Sequence, residues 1–317
     1  MLQNLLGIMA VMALAPAPSP KLDPVYVYGQ NLPIQPVLVA PAAPTQELTV
    51  RPILPPKKKN PKNLGVATSG KSVFVADVAS GGILYTKAPH DVHPIASITK
   101  LMTALVLMDS EKKLDGDLTF VDSDFDKESK SVFAVGDTIS RNDAMRALLV
   151  GSVNAAGNAL ARTSGLTRQE FIARMNQKAD ELNLKSMNFV EPTGLKSGNC
   201  GDAADVAALI TIALRDPGIR GVLDEPEVTL KTKAGKEYKV ESTNLLLTSF
   251  LNKAPYKIIG AKTGSLPEAG YCMAQVTKDD KGHEVVAVLL GSDNHFSRYR
   301  DIKSLTGWAF NSFDWSN

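Results

Sequence analysis

Residues Asp91–Ser110, DVHPIASITKLMTALVLMDS, decide how this chain is read. From Ile95 to Met108 the run is apolar almost all the way round, the pattern of a helix buried inside a protein. Yet its head carries Ser97 and Lys100, a hydroxyl and an amine that core packing would not select. On a helix, side chains at i and i+3 share a face, so the amine reaches the hydroxyl, and a serine in the first turn lies near unpaired N–H groups. A serine is a poor nucleophile until a base takes its proton. A lysine is that base only when burial and nearby positive charge push its pKa toward neutrality, and the apolar run supplies the burial. By itself S-x-x-K is a weak signal, since ordinary residue frequencies give about one or two matches in a chain of this size. Ser110 and Lys113 match as well, in what reads as a polar loop.

Two motifs further along the chain set Ser97 apart. LLVGSVNAAGNALA (148–161) holds Ser152 and Asn154 at the junction of two helical segments, and IIGAKTGSLPEAGYC (258–272) holds Lys262, Thr263 and Gly264 at the end of an apolar strand. S-x-x-K, S-x-N and K-T-G in that order fit acyl transfer. Ser97 attacks a carbonyl and Lys100 accepts its proton. Ser152, held between the two lysines, relays a proton to the leaving amine, and the Asn154 amide holds Lys100 or the substrate backbone. Lys262 lowers the Lys100 pKa by its charge and, with the Thr263 hydroxyl, attracts a substrate carboxylate. Gly264 lets substrate approach the strand closely. The N–H groups of Ser97 and Ser265 form an oxyanion hole. Taken singly, Ser152 and Asn154 are ordinary helix-cap residues and Lys262 and Thr263 an ordinary strand end.

The rest of the chain narrows the setting. Its 317 residues are 44% hydrophobic and 21% charged, a globular composition, and a net charge of +2 gives no argument for nucleic acid. Residues 1–17 contain an apolar run too short to span a bilayer, followed by small residues and prolines, which reads as a signal peptide or short apolar segment and implies export. Residues 18–63 are proline-rich and aperiodic, a tether with little fixed structure. Its lysines, from Lys57 to Lys62, are a solvated stretch or a weak contact with an anionic envelope. Cys200 and Cys272 have no metal-ligand spacing and are inert thiols or a disulfide pair. His90 and His93 lack a third ligand, so no metal and no cofactor is expected.

Residues 64–317 form the remaining domain. SVFVADV (72–78) and ILYT (83–86) read as a hairpin, YKIIGAKTG (256–264), YCMAQVTK (271–278) and EVVAVLLGS (284–292) as further strands, and the middle as helices, one opened by the capping box Thr167–Glu170. The expected fold is α+β: a largely antiparallel sheet built from both chain ends, flanked by helices, with a helical subdomain and a cleft between them.

On these motifs, and on EFIARMNQKADELNLKSMNFVEPTGL (170–195), GYCMA (270–274) and NLLL (244–247), residues 71–308 resemble the low-molecular-mass penicillin-binding proteins, the serine D-alanyl-D-alanine carboxypeptidases and endopeptidases of peptidase family S11. The resemblance implies peptidoglycan stem peptides as substrate, β-lactam antibiotics as covalent inhibitors and a place in the periplasm or at the cell surface, the leader being cleaved or kept as a tether. It also implies that Arg298, in GSDNHFSRYR (291–300), helps bind the substrate's terminal carboxylate. The chain end after the closing helix resembles the shorter endopeptidase branch, with carboxypeptidase action open. Val153 in S-x-N and Cys200–Gly201 depart from the family's usual residues. Two rivals stand beside this reading. A class A β-lactamase shares the three motifs, but Glu191 lacks the Glu-x-x-Leu-Asn arrangement expected there. A catalytically silent wall-binding protein would have no need of the intact motif residues.

Overall fold

EVVAVLLGS is an unbroken apolar run because both of its faces are covered. Val285, Ala287 and Leu289 pack toward the C-terminal helix, while Val286, Val288 and Leu290 pack toward the helices of the opposite side. The period-2 alternation of a strand thus divides one sequence between two cores. The structure, a computed structural model, describes residues 53–110, 114–126 and 131–315.

Five strands make the main sheet: β1 (Ser72–Asp77), β2 (Ile83–Lys87), β3 (Tyr256–Leu266), β4 (Gly270–Asp279) and β5 (Glu284–Ser292). Their spatial order is β3-β4-β5-β1-β2, every neighbouring pair is antiparallel, and β3 is at the rim. The sheet therefore joins the two ends of the chain, as the α+β reading expects.

The helices are α1 (Lys100–Ser110), α2 (Arg141–Leu149), α3 (Asn154–Arg162), α4 (Arg168–Glu181), α5 (Ala203–Ala213), α6 (Pro217–Leu223) and α7 (His295–Ser312). Helix α7 covers one sheet face through Ile302, Leu305 and Ala309. On the other side α1 is enclosed, with Leu101, Met102, Ala104 and Leu107 at 0% exposure. Burial of each large side chain there contributes about 1.5–3 kcal/mol. The box at α4 forms as the sequence indicates: Glu170 N donates to Thr167 Oγ1 at 3.3 Å and Thr167 N to Glu170 Oε2 at 2.8 Å.

Several expectations change. The tether is folded at its end, since Lys57–Lys58 pairs with Phe313–Asp314 and Trp308 Nε1 donates to Asn63 Oδ1 at 3.0 Å. Residues 1–17 and the tether up to residue 52 lie outside the described residues. Ser110 ends α1 instead of starting a polar loop, and Lys113 is outside the described residues. Helix α6 and the hairpin Glu227–Lys231/Glu237–Glu241 were not anticipated. Of the two readings of Cys200 and Cys272, free thiols are the one the structure has. Among the described residues no cluster fits a metal ion, and no helix is long and apolar enough to cross a membrane.

Candidate active site

The head of the buried run is a 3-10 turn, Ala96–Thr99, and Lys100 is the first residue of α1. The three-residue spacing still stacks the two side chains: Lys100 Nζ donates to Ser97 Oγ at 2.8 Å. The same amine donates to Asn154 Oδ1 at 2.6 Å, from the start of α3, and to the carbonyl of Thr193 at 2.5 Å. Lys100 has 0% exposure, whereas Ser97 is half-buried and open to an incoming group.

Across the cleft, β3 carries Lys262, 1% exposed, whose Nζ donates to Ser152 Oγ at 2.8 Å and to the carbonyl of Thr263 at 3.2 Å. Ser152 is the left-handed residue of the α2–α3 junction (φ +57°), and Val153 after it is buried. The Ser152 hydroxyl, expected between the two lysines, hydrogen-bonds on the Lys262 side. The Thr263 hydroxyl donates to Thr243 Oγ1 at 2.7 Å, and so ties β3 to the segment before it. Ser265 is exposed at the end of the strand. Arg298 is buried behind it, with Nη1 donating to the Gly264 carbonyl at 2.9 Å and Nη2 to Tyr299 Oη at 2.7 Å. No described carboxylate pairs with this guanidinium.

Two glycines fix the backbone of the Ser97 turn. A methyl group on Gly264 would stand 2.5 Å from the Ile95 carbonyl oxygen and 3.2 Å from Ser97 N. Gly264 therefore serves the approach of the chain's own serine turn, before any approach of substrate. Gly194 (φ +87°) abuts the same turn, where a methyl group would stand 2.0 Å from Ala96 O and 2.8 Å from Ser97 N. Ala96 itself is left-handed (φ +48°), a costly conformation for a residue with a Cβ, held between these contacts.

Electrostatics follow from burial. Loss of hydration lowers Lys100 from the usual lysine range to about 7, against the opposing pull of the Glu191 and Asp126 carboxylates. Lys262 is held well below its ordinary value by burial first, then by the charges of Lys100 and Arg298. Burial, more than Lys262, is what brings Lys100 toward neutrality. Cys272 pairs with Gly264 across the strands, and burial pushes its thiol up to about 11, so it stays unreactive.

Sequence reasoning missed Thr193, Gly194, Thr243 and the role of Glu191. The loop's start lies in the segment that carries the family resemblance, and the P-x-G turn in EPTG is a local signal that could have marked it.

Residues 57–294 match the family described as D-alanyl-D-alanine carboxypeptidase. A D-alanyl-D-alanine endopeptidase of Pseudomonas aeruginosa is 33% identical over 258 residues, covering 80% of this chain and 81% of that protein. Among solved structures, the Streptomyces K15 DD-transpeptidase superposes with a TM-score of 0.71 at 28% identity, over 78% of this chain and 99% of that one. Penicillin-binding protein D2 of Listeria monocytogenes, solved with cefotaxime bound, gives 0.68 at 28% identity with the same coverages of 78% and 99%. With most of its length inside that family's pattern, the chain belongs to the D-alanyl-D-alanine carboxypeptidase family of serine hydrolases.

Proposed function

We propose that Ser97 is the nucleophile of a serine D-alanyl-D-alanine peptidase acting on peptidoglycan stem peptides, with Lys100 as its base. The observation that carries this reading is the 2.8 Å contact between a fully buried lysine amine, lowered to about 7, and a half-buried serine hydroxyl. Neutral Lys100 takes the Ser97 proton as Oγ bonds to the carbonyl carbon. The C–N bond then breaks, and the proton that Ser97 gave to Lys100 passes to the leaving amine, with the Ser152 hydroxyl, held by Lys262, as the relay. Water hydrolyses the acyl-enzyme in the second half-reaction. The N–H groups of Ser97 and Ser265 stabilise the oxyanion. Lys262 and the uncompensated Arg298 supply positive charge for the substrate's terminal carboxylate, Arg298 acting through its bond to Gly264. Beyond Ser265 a cavity of about 600 Å³, lined in part by Lys71, Glu268, Tyr271 and Asp293, gives the acyl arm room.

Glu191 does not support the β-lactamase alternative, because its oxygens are taken up by loop donors and none is left to activate water. Cleavage of D-alanyl cross-links is the favoured action, on the strength of the 33% identical endopeptidase. Trimming of terminal D-alanine is the second reading, favoured by the family description. The protein acts outside the cytoplasm, where this substrate lies.

The test is covalent labelling with fluorescent penicillin. Wild type labels, and Ser97→Ala loses the label while keeping its circular dichroism spectrum. Label persisting on that variant would move the nucleophile elsewhere, and an unlabelled wild type would favour a silent wall-binding protein. Product masses from cross-linked and uncross-linked muropeptides separate the two actions.

A further inference from the structure

Glu191 is only 3% exposed, and its carboxylate is used up by one short loop. Thr193 N and Thr193 Oγ1 donate to Oε2 at 2.7 and 2.6 Å, and Gly194 N and Asn199 Nδ2 donate to Oε1 at 2.5 and 2.6 Å. The loop so gathered meets the reacting groups at three points. The Thr193 carbonyl accepts from Lys100 Nζ at 2.5 Å, the Pro192 carbonyl accepts from Thr103 Oγ1 of α1 at 2.5 Å, and Gly194 lies against the backbone of Ala96 and Ser97. A fourth tie runs from Ile95 N to the Asn199 carbonyl at 3.0 Å.

We infer that Glu191 is a positioning residue: its buried carboxylate clamps residues 191–199 around the Ser97 turn and so orients the Lys100 amine. This deepens, and rests on, the reading of Lys100 as the base. A buried anion with four short donors is a rigid hub, since each broken bond strands a donor away from water. The groups facing Lys100 are Glu191 from the loop, Asp126 from the segment after Phe125, Asn154 from α3 and Lys262 from β3, with Arg298 behind Lys262. Of these, the two carboxylates hold the proton on Lys100 and oppose the effect of burial.

The experiment follows the second-order rate of fluorescent-penicillin labelling from pH 5.5 to 9 in wild type, Glu191→Gln, Glu191→Asp and Thr193→Val, with melting curves for each. Glu191→Gln labels on the order of ten- to a hundred-fold more slowly because the amine and serine shift. Its pH midpoint also moves down, because a carboxylate that favours protonated Lys100 is gone. Glu191→Asp returns the midpoint toward wild type. Thr193→Val keeps the charge and removes one donor, so labelling slows several-fold at an unchanged midpoint. This variant keeps the clamp testable where Glu191→Gln does not fold, and an unchanged Thr193→Val rate overturns the clamp. A folded Glu191→Gln with the wild-type midpoint overturns the electrostatic role. Failure of the base assignment looks different: Lys100→Met would label at the wild-type rate whatever occupies position 191.

Discussion

The two buried lysines have the same side chain and opposite surroundings. Lys100 meets three acceptors, one on α3, one on the serine turn and one on the 191–199 loop, and feels two carboxylates. Lys262 meets a serine hydroxyl and a backbone carbonyl, and the charges acting on it are those of Lys100 and Arg298. Burial lowers both amines, but only on the Lys100 side do carboxylates oppose it and favour the proton's return. A base must both take and release a proton near neutral pH, and the Lys100 surroundings meet that requirement. The Lys262 surroundings, where the charges acting on the amine are both positive, suit a group that pairs with an arriving anion.

The largest effect expected from this contrast is on acylation. Lys100→Met lowers penicillin labelling on the order of a thousand-fold, the scale of a lost general base. Lys262→Met costs less, roughly ten- to a hundred-fold, through weaker anion attraction and proton relay. Equal losses, measured as labelling rates, would erase the distinction. The wild-type rate rises through a midpoint near pH 7, where Lys100 releases its proton. That midpoint stays in place in Lys262→Met if burial controls it, and rises if repulsion between the amines does.

Next comes the backbone that holds the Lys100 side. Gly194→Ala puts a Cβ at a left-handed residue and 2.0 Å from Ala96 O, and destabilises the fold by about 3 kcal/mol in denaturant titration. Gly264→Ala, with a contact of 2.5 Å to Ile95 O, costs about 1–3 kcal/mol by the same measurement. A neutral result at either position would mean that the serine turn yields freely.

The smallest effect is a slope. With Lys100 at about 7 in the folded chain and near the usual lysine value when unfolded, the unfolded chain holds more protons between these limits. Stability therefore rises with pH across that window, by at most about 1.4 kcal/mol per pH unit for one lysine. Lys100→Met flattens the slope by that amount in urea titrations at pH 7.5, 8.5 and 9.5.

Legibility in the sequence divides along the same line. Strands β3, β4 and β5, the capping box of α4 and the enclosed α1 have strong periodic or local signals, and so do the three motifs. The 191–199 loop has no period, and its meaning lies in contacts between distant residues. In sequence Glu191 resembles a rival enzyme's catalytic group, whereas in the fold its oxygens are occupied. Gly264 matters for its missing bulk, as its sequence context suggests, but the neighbour that needs the space is Ile95. The hairpin Glu227–Lys231/Glu237–Glu241 alternates exposed and buried residues and was readable. Pairings as short as Lys57–Lys58 with Phe313–Asp314 carry too few residues for any pattern to stand out.

The position of β3 at the rim of its sheet has one more consequence. A rim strand offers a guest molecule a line of main-chain donors and acceptors, and such a line recognises an extended amide without inspecting what hangs from it. Near Ser265, where the rim is exposed, an extended guest would be held by its main chain, and discrimination among guests would fall to their length and terminal charge.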